Sequence, residues 1–243
     1  MNLRSLASSF IISALTLFTG GCKVAPAKPE PAAQRPDQVL NFATLFQQNC
    51  AACHGEQGKN GVAISLANPV YLAVAGTDMI QKATANGVPG TLMPAFARSQ
   101  GGMLTDQQIT VLAQGVVTAW AKPAALLGQA APPYASSSPG DPAQGQQAFT
   151  MFCASCHGSD GTGLKRKENS TGSLVDPAYL ALISDQGLRS RIIAGQPEDG
   201  MPDWRSDLNG ASARPMTNKE ITDIVAWLAS HRVAAPGQPY VHP

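Results

Sequence analysis

The chain has 243 residues, a formal net charge of +1, 44% hydrophobic residues and only 6% aromatics. That length accommodates one or two domains, and the balanced charge, with no basic stripe, gives no support to a nucleic-acid interface. Five cysteines and four histidines are few enough for each to be considered individually.

Arg4 is followed by an apolar stretch from Leu6 to Phe18 and then by Thr19-Gly20-Gly21-Cys22. A charged start, an apolar middle and small residues read as a signal peptide over residues 1–21. The apolar run is shorter than the roughly 20 residues that span a bilayer. Small residues before a lone cysteine resemble a bacterial lipobox, which implies lipidation of Cys22, although Thr19 stands where such boxes most often carry Leu. Ordinary cleavage after Ala25-Pro26-Ala27, or no cleavage and a marginal anchor, are the alternatives. On the lipoprotein reading, the proline-containing residues 22–37 are a tether of some 30–40 Å in extended geometry. The expected location is then the periplasmic side of a bacterial membrane, held by an N-terminal lipid anchor.

Cys50-Ala51-Ala52-Cys53-His54 and Cys153-Ala154-Ser155-Cys156-His157 repeat one pattern, Cys-x-x-Cys-His. This is the attachment signature of c-type haem. Cys50, Cys53, Cys153 and Cys156 would form thioethers with the vinyl groups, and His54 and His157 would be the proximal iron ligands. The competing readings are a zinc site and a redox-active dithiol. Zinc does not require a histidine after each second cysteine, and no βαβ pattern surrounds either motif. Two covalently bound haem c groups are therefore expected, and with them export, since such haem is attached outside the cytoplasmic membrane.

The second half restates the first. Asn68-Pro69-Val70-Tyr71-Leu72-Ala73 matches Asp176-Pro177-Ala178-Tyr179-Leu180-Ala181, Gly87-Val88-Pro89 matches Gly195-Gln196-Pro197, and Met93-Pro94-Ala95-Phe96 matches Met201-Pro202-Asp203-Trp204. Residues 122–144, rich in Pro, Ala, Ser and Gly, read as a linker. The domains are then 38–121 and 145–233, with a tail over 234–243. Each has an apolar segment before its haem motif and a middle helix, about Thr77–Ala85 and Asp185–Ala194. Each closes on a helix behind a capping box, Thr105 with Gln108 and Thr217 with Glu220.

This order of elements resembles class I cytochrome c, here in a two-domain, di-haem form covering nearly all the mature chain. The resemblance implies an all-α fold of two tandem domains, each a few helices wrapped around one covalent haem. It also implies a close crossing of first and last helices, with a glycine against an aromatic. Gly145 and Trp227 supply that pair in the second unit, and Phe42 and Gly115 supply it with sizes exchanged in the first.

Within that frame, Met93 and Met201 are the expected sixth ligands, sharing Met-Pro-x-aromatic. Met216 aligns with Leu104 and reads as packing; Met79, Met103 and Met151 have no repeated counterpart and read as core or loop filler. His231 and His242 read as solvated terminal residues. Tyr71 and Tyr179, with Asn68 and Asp176, read either as packing or hydrogen-bonding near the haems or as simple helix-packing residues. Lys165-Arg166-Lys167 offers a docking patch for an acidic partner or a solvated loop. The expectation is an electron carrier rather than an enzyme: single-electron, outer-sphere transfer between redox partner proteins, with no small-molecule substrate, as a relay associated with a quinol-oxidising complex. The alternatives are a di-haem peroxidase-like enzyme and the cytochrome subunit of a periplasmic dehydrogenase.

Overall fold

The computed structural model describes residues 34–165, 170–205 and 214–234. Cys22, the signal peptide, most of the tether, Arg166, Lys167 and His242 lie outside the described residues.

In the first half, α1 (Phe42–Asn49) starts where the Asn41 side chain accepts the Thr44 amide at 2.9 Å. A short α2 (Ala51–His54) follows directly, with Cys50 at the break between them. Next comes α3 (Pro69–Asn86), two helical stretches meeting at Gly76, whose φ of 67° is non-helical. Its second stretch covers the predicted middle helix. Its first was not predicted, although Asn68 as cap and Pro69 at the first position form a standard helix start. The half closes with α4 (Asp106–Trp120), behind the capping box of Thr105 and Gln108.

The second half repeats this order: α5 (Pro142–Phe152), α6 (Ala154–His157), α7 (Pro177–Leu182), α8 (Asp185–Ala194) and α9 (Asn218–Ala229). Asp141, Asp176 and Ser184 cap α5, α7 and α8 with side-chain oxygens, and Thr217 and Glu220 form the capping box of α9. Helix α5 opens at Pro142, inside the stretch read as linker. Among the described residues there is no strand beyond two isolated bridges, Ala97 with Leu104 and Gln196 with Met201. The fold is all-α, as two tandem class I cytochrome c domains require.

First and last helices cross in each half, α1 on α4 and α5 on α9. At the second crossing, a Cβ added to Gly145 would lie 2.0 Å from the Asp223 carbonyl oxygen and 2.8 Å from Trp227 Cβ. At the first, a Cβ on Gly115 would lie 2.1 Å from Phe42 Cδ2. One crossing thus has its small residue on the first helix and the other on the last, keeping volume at the contact roughly constant in a densely packed interior. Aromatic rings fill in behind: Phe149 packs on Trp227 at 4.3 Å between centroids, and Phe46 meets Trp120 edge-on at 5.1 Å. No helix among the described residues is long and apolar enough to cross a membrane.

Candidate haem sites

Each Cys-x-x-Cys-His motif is one turn of helix. His54 N–H donates to the Cys50 carbonyl at 3.0 Å, and His157 N–H to the Cys153 carbonyl at 3.0 Å. Positions i, i+3 and i+4 of a helix share a face, so both thiols and the imidazole of a motif face the same way. Glycine ends the turn: Gly55 has φ 81°, and a Cβ there would sit 1.8 Å from the Lys59 carbonyl oxygen. The chain must fold back tightly under the motif, and only glycine allows it.

His54 is buried, and its Nδ1 lies 2.8 Å from the Ile64 carbonyl. Donation to that carbonyl fixes the proton on Nδ1 and leaves Nε2 with its lone pair, the form that ligates a metal. Burial also lowers the affinity of His54 and His157 for a second proton. His157 Nδ1 is buried with no hydrogen-bond partner. Burial, with the neighbouring thiol of each pair, pushes Cys50 up to about 11 and Cys153 to about 12. Such donors fit haem c: two unpaired thiols for the vinyl groups and a neutral imidazole beside them for the iron. Among the described residues no group of three or more His, Cys, Asp or Glu is arranged to hold a metal ion by itself.

The methionine loops are built alike in the two halves. Val88 N–H donates to the Met93 carbonyl at 3.0 Å, and Gln196 N–H to the Met201 carbonyl at 2.9 Å. Each loop is then pinned to the end of the middle helix: Phe96 N–H to the Thr84 carbonyl at 3.1 Å, and Trp204 N–H to the Ile193 carbonyl at 3.2 Å. Gly195 (φ 67°) explains the conserved spacing within the chain, since a Cβ there would meet the Pro202 carbonyl carbon at 2.5 Å. Both methionines are half-buried. Met216 and Met79 pack against the core, and Met103 is exposed.

His231 differs from its expected solvated state. It is half-buried, its Nδ1 lies 2.9 Å from the Trp227 carbonyl, and its ring packs edge-on against Trp227 at 4.9 Å. Tyr71 is buried and lies beside Tyr134 of the linker, with burial pushing its hydroxyl well above the usual phenol range.

Sequence reasoning missed how the linker is held. Arg189 on α8 is 3% exposed. Its Nε donates to the Pro133 and Tyr134 carbonyls, both at 3.1 Å, and its Nη1 to Thr222 Oγ1 at 3.0 Å. Linker composition carries no such signal, because the bonds are made by backbone carbonyls.

Two family models match the chain: "Cytochrome c" over residues 142–232 and "Cytochrome C oxidase, cbb3-type, subunit III" over residues 37–114. The chain is a two-domain, di-haem c-type cytochrome. It carries two covalently bound haem c groups, one for each domain. The cytochrome is 26% identical over 195 residues to a cbb3-type cytochrome c oxidase subunit FixPc of Rhizobium leguminosarum, covering 76% of this chain and 61% of that one. It is 31% identical over 208 residues to the CcoP subunit of Azospirillum, covering 78% and 65%. The cytochrome thus spans less than two thirds of the curated relatives it matches. Among solved structures, a chain of the reducing HAO-like protein complex of Kuenenia stuttgartiensis aligns with 83% of the cytochrome and 100% of its own length, at 16% identity and a TM-score of 0.43.

Proposed function

We propose that the cytochrome is an electron-transfer subunit or docked relay of a respiratory complex, exported and held at the periplasmic side of a bacterial membrane. The relatives named as cbb3-type oxidase subunits support a place beside an oxidase; a lipid anchor on Cys22 is part of the same proposal.

The observation that carries this reading is the duplication of one complete ligand frame. In each half a Cys-x-x-Cys-His turn and a pinned methionine loop lie between the same flanking helices. We assign Cys50, Cys53, Cys153 and Cys156 to the thioether bonds, and His54 with Met93 and His157 with Met201 to the axial positions. Bound there, haem would supply a one-electron couple, whose potential a methionine ligand would raise. The protein's own part is to hold the His54 imidazole in one tautomer through Ile64, to keep each methionine in place through the Gly-x-Pro loop, and to exclude water. Were each haem held by a histidine and a methionine, no coordination site would be left open to peroxide, which disfavours the peroxidase-like alternative.

The test is an oxidised and reduced absorption spectrum of the holoprotein with haem quantified per chain. Two haems, both low-spin and both contributing to the weak red band of sulfur-ligated ferric iron, are expected. A high-spin component, or a band worth one haem, would instead support an open site.

A further inference from the structure

The repeat is broken by one atom pair at a position where it would be expected to be neutral. Asn68 and Asp176 occupy equivalent places and do the same local work. Asn68 Oδ1 accepts the amides of Val70 and Tyr71 at 2.9 and 3.2 Å, and Asp176 Oδ1 those of Ala178 and Tyr179, both at 2.9 Å. Either residue is a good cap. Asp176, however, is exposed, whereas Asn68 is 2% exposed. The difference is the amide nitrogen of Asn68, which donates to the Ala194 carbonyl at 3.0 Å and lies 3.3 Å from the Gly195 carbonyl, both in the other domain. An aspartate has no proton to donate there and would set an anion against two carbonyl oxygens.

The residues joined in this way lead to the two ligand frames. On the first-domain side, Asn68 ends the loop whose Ile64 carbonyl accepts from His54. In the same loop Ser65 Oγ donates to Glu198 at 3.1 Å, and the Val62 carbonyl accepts from Arg191 at 3.4 Å. On the second-domain side, Gly195 and Gln196 open the methionine loop, and Gln196 exchanges backbone hydrogen bonds with Met201 at 2.9 and 3.0 Å. Arg191 is bonded to Gln196 as well, at 2.6 Å. The His54 loop of one domain is therefore seated on the Met201 loop of the other.

We propose that Asn68 is an interdomain latch, a positioning residue that fixes the proximal loop of the first haem against the methionine loop of the second and so sets the spacing for electron exchange between them. The exchange is a simple one: one electron leaves one iron and arrives at the other, with no bond made or broken and no proton moved. This rests on the His/Met reading given above. The buried position suits the role, because an unsatisfied donor or a repelled acceptor there is costly, while the outer contacts of Ser65 and Arg191 are more exposed and weaker.

The test uses the full-length holoprotein and Asn68→Asp, which keeps the cap and removes the donor, with Asn68→Ser as a second variant that caps well but is too short to span the boundary. Asp176→Asn is the control. Pulsed EPR gives the iron–iron distance distribution, flash reduction gives the internal exchange rate, and small-angle scattering gives the domain spacing without reference to the irons. For both Asn68 variants the haem content, sulfur band and two potentials should match the parent. The distance distribution should broaden and internal exchange slow by roughly tenfold. Asp176→Asn should change none of these. An unaltered distance distribution, scattering profile and rate in Asn68→Asp or Asn68→Ser would overturn the latch. A parent protein lacking the sulfur band would overturn the ligation reading instead, and the scattering comparison would still decide the latch.

Discussion

At the scale of single residues, the two methionines carry the proposed chemistry and their loops make them separable. Met93→Ala or Met201→Ala should halve the sulfur-to-iron band, convert one haem to high spin and lower the potential of that haem alone; low-temperature EPR with a redox titration checks this. Neither methionine takes part in the helix crossings, so far-UV circular dichroism should be unchanged. Arg189 is a different kind of residue. It is buried beneath the linker with carbonyls, Thr222 and Asn218 as its partners. Arg189→Ala leaves those acceptors without donors, at a cost of about 1–3 kcal/mol. The expected result is faster tryptic cleavage at Lys122 beside the loosened linker, read by mass spectrometry, with both haem spectra intact.

At the scale of elements, the helix crossings were legible through the resemblance to class I cytochrome c, which implies a glycine against an aromatic, and residue volume then accounts for the exchange of sizes between the two units. The crossing in the second half has backbone against Gly145, and that in the first has a side chain against Gly115. A carbonyl cannot turn aside, whereas Phe42 sits at the first position of α1 and can swing outward. Gly145→Ala should therefore destabilise its domain by about 1–3 kcal/mol or more, and Gly115→Ala by less, as thermal melts of the holoprotein will show. The capping boxes were legible because they are written in nearby residues. Their acid response should differ. Arg214, followed by the Thr217 contacts, holds the Glu220 carboxyl down to about 2. A depressed carboxyl contributes stability above the ordinary carboxylate range and loses it only as pH falls through its folded value. The α9 cap should therefore survive until about pH 2. Gln108, in the matching α4 box, does not titrate. Amide exchange in the first turn of α9 across an acid series reads this directly.

At the scale of the whole molecule, the sequence is least informative. The ligand frames, the duplication and the capped helices follow from local patterns, and the comparisons agree with the two-domain di-haem reading. The seating of one domain on the other does not, because its buried contact is made to the backbone carbonyls of Ala194 and Gly195, which any residue would present, just as the linker is held by those of Pro133 and Tyr134. The mismatch of Asn68 with Asp176 was visible, but its meaning depends on burial. The first helical stretch of α3 was missed although its Asn-Pro start was visible, because Gly76 interrupts the periodicity after a few residues. With the two halves clasped at Asn68 and at the linker, the cytochrome is expected to move electrons at a fixed internal spacing rather than by domain motion.

The most direct test of the account is a spectroelectrochemical titration of the full holoprotein with haem counted per chain. The prediction is two haems, two one-electron steps, low-spin iron throughout and a sulfur-ligand band that scales with both. A high-spin haem, or one that binds carbon monoxide without displacing a methionine, would contradict paired His/Met ligation and return the chain to the class of catalysts.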